Sequence, residues 1–161
     1  MSILAEATDS VPTFSLAGKR PAKVVSCYDG DTFAAVIEMG GQLWKFDCRM
    51  NAYDAPEIKP LKSLPNREAE KQAAIRSKTA LLSFVCDGVD AAKSYTNKEL
   101  DAIVKLNKRI IELQCKGFDK YGRVLVEIPL TDQGAVNVWM IENNYGYAYS
   151  GGTRKAWESG K

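Results

Sequence analysis

The sequence predicts an α+β fold in which a small β-barrel is covered by helices, and three observations carry that expectation. Short segments with strand character follow one another between residues 22 and 50, separated by glycine-bearing turns. A run of good helix formers extends from Asn66 to Val85 without proline or glycine. Two more strand-like segments and a last helix then fill residues 110 to 144.

In chain order, residues 1–18 have no clear period and read as an irregular arm, with the fold beginning near Arg20. Lys23–Tyr28, Thr32–Glu38 and Gln42–Met50 read as strands, with Met39-Gly40-Gly41 as the hairpin turn between the second and third. Pro56, Pro60 and Pro65 make residues 52–65 a loop. In the helix that follows, Ala74, Leu81, Leu82 and Val85 share one side while Lys71, Arg76 and Lys78 fall elsewhere, so the apolar stripe faces a core. Asp87–Lys108 is an excursion with a short helix, Lys98–Leu106, capped by Thr96 or Asn97, and no chemistry is assigned to it. Ile110–Lys116 and Arg123–Pro129 are two further strands, and Val136–Asn144 is a last helix ended by Gly146. Five strands and two or three helices in this order point to a five-stranded barrel capped by helices, the OB-fold type. The expected organisation is an arm over 1–20, one domain over 21–150 and a tail over 151–161.

Composition narrows the function classes. At 161 residues the chain can bury a core without disulfides or structural metal, and 45% apolar with 26% charged residues excludes disordered and collagen-like classes. The longest apolar stretches, such as Ala80–Cys86, fall far short of the ~20 residues a bilayer span requires, so no membrane partner is expected. No basic start followed by an apolar run opens the chain, and Glu6 and Asp9 interrupt it, which implies an intracellular, cytoplasmic site of action. A monomer is expected.

The net charge of +2 neither demands nor excludes nucleic acid. Between Lys59 and Lys78, however, six basic residues (Lys59, Lys62, Arg67, Lys71, Arg76, Lys78) stand against Glu68 and Glu70, which fits either a solvated helix face or a phosphate-tracking surface. Cys27, Cys48, Cys86 and Cys115 show no Cys-x-x-Cys spacing and suit reduced, buried thiols. The chain has no histidine, which argues against the usual zinc sites and removes Ser-His-Asp and Cys-His catalysis. Any general base is then a carboxylate, a lysine or bound water.

The residues left to carry chemistry are Asp29-Gly30-Asp31-Thr32, Arg49, Asp54-Ala55-Pro56-Glu57 and Asp119-Lys120-Tyr121-Gly122-Arg123. Hard carboxylate oxygens suit a hard divalent cation such as Ca2+, and arginine forks fit phosphate oxygens. A phosphodiester is anionic and resists attack by hydroxide, so a catalyst must neutralise charge and orient a water, and this inventory holds groups for both tasks. Each residue also has a plainer reading. Asp29-Gly30 is a hairpin signal and is read as a tight turn, whereas Asp31 follows the turn and has no turn geometry to explain it. Arg49 could form a structural pair with Asp54 or Glu57, and Asp119 is read as ordering its loop. Trp44, Trp139 and Trp157 are read as packing residues, and Tyr121, Tyr147 and Tyr149 as candidates to stack on bases.

Across about Ala22 to Tyr149 the chain resembles the staphylococcal nuclease, or thermonuclease, family. The resemblance rests on the Asp29–Thr32 turn, Arg49 five residues before Asp54-Ala55-Pro56-Glu57, the Asp119–Arg123 stretch and the Val136-Asn137 helix start, all in the family's order. It implies an OB-fold barrel and a calcium-dependent endonuclease that cuts DNA and RNA to leave 3′-phosphates. It further implies that Asp31, Asp54 and the backbone carbonyl of Ala55 bind calcium, and that Glu57 acts on the attacking water. Arg49 and Arg123 match the phosphate-binding arginines, and Lys120 and Tyr121 match contacts to an adjacent phosphate.

The chain departs from the family pattern in three places. Ala55 stands where the best-known member has threonine, residues 87–108 form a longer segment, and an N-terminal arm is added. The ending from Tyr149 to Lys155 is similar to tails of members from large DNA viruses, which would place the protein in host cytoplasm or a virion. Because tandem copies of this fold exist as binding modules without these residues, the rival expectation is an inactive module that binds nucleic acid or protein. Arg49→Ala separates the two, since in an enzyme it is expected to lose orders of magnitude in rate while keeping most stability.

Overall fold

The structure, a computed structural model, describes residues 3–130 and 134–148. Strands β1 (Gly18–Cys27), β2 (Thr32–Met39) and β3 (Gln42–Met50) form the antiparallel meander. Gly40 and Gly41 both take positive φ, at 62° and 79°, the left-handed pair that a tight two-residue hairpin requires. After β3 come the two-residue β4 (Tyr53–Asp54), helix α1 (Arg67–Val85), helix α2 (Asn97–Lys105), β5 (Ile111–Phe118), β6 (Val124–Glu127), helix α3 (Val136–Glu142) and β7 (Tyr147–Ala148). The barrel closes in the order β1-β2-β3-β6-β5, with β3 parallel to β6 and the other neighbours antiparallel. A closed, five-stranded mixed barrel with three helices is the OB-fold-like α+β architecture expected from the sequence.

Inward residues of the strands meet the apolar face of α1 in one core that includes Val24, Phe33, Ile37, Met50, Leu81, Leu82, Val85, Leu113 and Val126. Ala74, Leu81, Leu82 and Val85 are all buried, as their shared stripe predicts. The excursion after α1 is bolted down by polar contacts. Thr96 caps α2 in a reciprocal capping box with Glu99. Buried Asn107 donates to the Val24 carbonyl at 3.0 Å and accepts from the amides of Asp87 and Arg109.

Several expectations need correction. The first strand starts at Gly18 rather than Lys23, because Gly18–Ala22 pairs with Cys115–Ile111 and closes the barrel on β5. The arm before it holds a 3-10 turn, Ile3–Glu6, and sends Leu16 into the core. Lys78 is no part of a basic surface: it is 1% exposed, and its ammonium donates to Asn97 and Asp101 of α2, both at 2.7 Å. Trp44 is 51% exposed on the outer half of β3 and is not a packing residue. Trp139 does pack, edge-on to Phe84 and stacked on Tyr145. Tyr149, Trp157 and the proposed tail lie outside the described residues. All four cysteines are buried free thiols. Among the described residues no helix is long and apolar enough to cross a membrane.

Candidate active site

The candidate site forms where the β1–β2 turn, the end of β3, β4 and the β5–β6 loop converge. In the turn, the amides of Tyr28 and Asp29 donate to the Thr32 carbonyl, and the Asp31 amide donates to Asp29 Oδ1 at 3.0 Å. Asp29 thus does close the turn, in the manner of an Asx turn. Gly30 is required for a different reason. A Cβ there would collide with the Ser77 hydroxyl of α1, so the helix fixes the turn from behind.

Strand register then selects the partner of Asp31. Thr32 lies opposite Arg49, and the Met50 amide donates to the Asp31 carbonyl at 2.8 Å. After Met50 the chain reverses through Ala52, at φ 78°, and returns as β4, which sets Asp54 beside Arg49. The buried guanidinium joins both aspartates: Nη1 is 3.1 Å from Asp31 Oδ2, and Nη2 donates to Asp54 Oδ1. Nη1 also donates to the Tyr53 carbonyl at 2.8 Å and the Met50 carbonyl at 3.2 Å, which holds the fork in one orientation. Asp31 is further satisfied by the Thr32 hydroxyl and the Ala55 amide, each at 2.8 Å.

Across the cavity, Asp119 organises the β5–β6 loop. Its Oδ1 accepts from the amides of Tyr121 and Arg123, and its Oδ2 from Arg123 Nε at 2.8 Å. Arg123 Nε is thereby anchored, while its guanidinium carbon lies 5.3 Å from the centre of the Tyr121 ring, and Lys120 Nζ sits 5.2 Å from the same ring. One cavity of about 490 Å³ is lined by Asp31, Arg49, Asp54, Glu57, Lys120, Tyr121 and Arg123, with Tyr28, Asp29 and Thr32 completing the wall. Of the residues to which the sequence assigns a metal, catalytic or phosphate role, Ala55 alone is missing from that lining. It is fully buried, and its amide serves Asp31.

Burial and charge set the ionisation of the two turn carboxylates apart. For Asp29, burial and then the neighbouring Asp31 charge push the carboxyl up to about 8. For Asp31, burial alone would raise it, but Asp29, the Arg49 charge, the Ala55 amide and the Thr32 hydroxyl together hold it below its ordinary value. Tyr28 is raised by burial, then by the charges of Glu57 and Asp29, which places its phenol on the acidic side of the cavity.

The carboxylates of the lining are oxygen donors of the type a hard cation takes. Asp31 and Asp54 already converge on one positive group, the Arg49 guanidinium, and every side-chain ligand candidate in the lining is an oxygen. Among the described residues no group of three or more Cys, Asp or Glu side chains is arranged to hold a metal ion, so a calcium ion here would draw on two carboxylates, backbone oxygen and solvent.

Tyr28, which no sequence motif marks, and Asp29, whose sequence signal is that of a tight turn, both line the cavity. The spacing of Asp29 from Asp31 was the available signal, since two carboxylates two residues apart across a tight turn must share a small volume. No protein-family model matches the chain, and no curated protein matches it.

Proposed function

We propose that this protein is a calcium-dependent endonuclease of the thermonuclease type, which hydrolyses phosphodiester bonds of DNA or RNA and leaves 3′-phosphates. The observation that supports this reading most is the cavity itself. It brings two aspartates on one guanidinium together with a second arginine, a lysine and a tyrosine, and Glu57 shares the lining. The motif order Asp29–Thr32, Arg49, Asp54–Glu57 and Asp119–Arg123 supports membership of the staphylococcal nuclease family.

Asp31 and Asp54, with the Ala55 carbonyl, would hold calcium, which when bound would supply positive charge to a phosphoryl oxygen and offset the charge that grows during attack. Arg49 and Arg123 supply guanidinium donors to the phosphate. Their bonds strengthen as its equatorial oxygens gain charge, which favours the transition state over the bound substrate. Arg123 can do this because Asp119 takes its Nε and leaves the rest of the fork to face the cavity. Glu57 is half-buried in the lining, where its carboxylate orients the attacking water or takes its proton. Lys120 and Tyr121, both exposed at the rim, contact a neighbouring phosphate or base.

One observation favours the rival reading of a binding module without turnover. Arg49 is engaged with Asp31, Asp54 and two carbonyls, so calcium and phosphate must both compete with contacts the protein already makes. Binding of labelled single-stranded DNA separates the two. The module predicts salt-sensitive affinity that calcium does not change and no cleavage, whereas the nuclease predicts cleavage that a chelator stops.

A further inference from the structure

Glu57 sits in a loop with no regular structure, yet its task demands a fixed position. Its amide donates to Glu70 Oε2 at 3.0 Å, and Glu70 is a buried carboxylate, 7% exposed, in the first turn of α1. A buried carboxylate is rare unless it meets donors, and the bond it forms here is charge-assisted. Its place in the first helical turn also sets it in the favourable field of the helix N-terminus. One turn earlier, Arg67 Nε donates to the Pro60 carbonyl at 3.1 Å, so the start of α1 grips the same loop twice.

We propose that Glu70 is a positioning residue for Glu57, holding the Glu57 backbone so that its carboxylate faces the metal and phosphate side of the cavity. This rests on the nuclease reading. On the N-terminal side Pro56 is buried and has a ring-locked φ, and on the C-terminal side Ile58 is buried at 4% exposure. With the amide between them tied to Glu70, the Glu57 Cα has little freedom left, and only side-chain rotation remains to align the carboxylate. Without the tie, the loop can shift by an ångström while the aspartates, the arginines and the barrel stay in place. A misplacement of that size costs roughly 10²-fold in rate. The loss belongs in kcat and not in KM, because the groups that bind phosphate are not moved.

The experiment compares wild type, Glu70→Ala and Glu70→Gln with calcium and single-stranded DNA, at a temperature where thermal melts show all three folded. Amide hydrogen exchange at Glu57 is read alongside. The expected result is that Glu70→Ala lowers kcat by roughly 10- to 100-fold with KM within about threefold, and speeds exchange of the Glu57 amide. Glu70→Gln, which keeps an acceptor oxygen without the charge, recovers most of kcat and of the protection. An alanine variant with wild-type kcat overturns the proposal, as does a glutamine variant that loses kcat as fully as alanine does while keeping the amide protected. A wild-type protein that does not cleave brings down the nuclease reading and this proposal together, an outcome distinct from the other two because they require an active wild type.

Discussion

The Tyr53 hydroxyl donates to the Gly30 carbonyl at 2.6 Å, a bond that ties β4 to the turn carrying Asp31. Both residues are buried, so the carbonyl has no water to fall back on. Tyr53→Phe is expected to lower stability by about 1–3 kcal/mol, the penalty of leaving a buried acceptor without its donor. Urea denaturation checks this: the midpoint should fall with the slope unchanged. A wild-type midpoint would mean the bond contributes nothing net.

Arg49 sits between Asp31 and Asp54 at 9% side-chain exposure, which changes the expectation for its removal. From the sequence, Arg49→Ala should keep most stability. With the guanidinium buried between two carboxylates, truncation should instead destabilise the protein in chelator by roughly 3–5 kcal/mol. On the proposed reading calcium would supply positive charge to the same two aspartates, so it should raise the melting temperature of the variant more than that of wild type. Equal calcium-induced shifts in the two proteins would contradict a shared site, and the rate should fall by orders of magnitude regardless.

The turn carboxylates give a pH dependence. Burial and the Asp31 charge raise Asp29 to about 8, above the roughly 3.9 of an unfolded aspartate. As pH rises from about 4 towards 8, the unfolded chain releases this proton and the folded chain retains it, so stability falls with increasing pH. Asp29→Asn keeps an oxygen for the Asp31 amide and removes the titration. In chelator, the melting temperature of wild type should drop between pH 5 and pH 9 more steeply than that of the variant. Parallel profiles would show that Asp29 titrates normally.

Asp119 orders the opposite wall through three bonds from Tyr121 and Arg123. Burial alone would raise its pKa, but the Arg123 and Tyr121 amides and the Arg123 side chain hold it below the ordinary value. The staple therefore persists above the usual carboxylate range and loosens as pH falls through the depressed value. Asp119→Ala should free the Arg123 guanidinium and reduce kcat/KM by at least about tenfold through lost orientation, with a small change in melting temperature. Steady-state kinetics against thermal melts separate that outcome from simple unfolding.

The elements that could be read from the sequence were those with a local physical cause. The Gly40-Gly41 hairpin needs positive φ, α1 buries Ala74, Leu81, Leu82 and Val85 at helical spacing, and Thr96 with Glu99 forms a capping box within four residues. Asp31 stands out because it follows the turn with no turn geometry to explain it, while Arg49, Asp54, Glu57 and Arg123 are marked by the joint order of their motifs. What stayed hidden depends on distant partners. β4 and β7 are two residues each and carry no period, so their pairing across Tyr53 and Ala148 leaves no trace in either segment. Gly18–Pro21 acquires strand structure from β5, about ninety residues later. Lys78 and Glu70 both look like solvent-facing members of a charged helix, and Asn97 and Asp101 for the one and the Glu57 amide for the other, brought close by the fold, account for their burial.

On the proposed function this cavity cleaves a phosphodiester with calcium held by Asp31 and Asp54. The most direct measurement is incubation of purified protein with end-labelled single-stranded DNA, with calcium or with chelator, followed by end-group analysis of the products. The expected result is progressive cleavage with calcium, arrest by chelator, 3′-phosphate ends, and loss of both cleavage and calcium binding in Asp31→Ala and Asp54→Ala. Intact DNA at saturating calcium, bound with an affinity that calcium leaves unchanged, would contradict it.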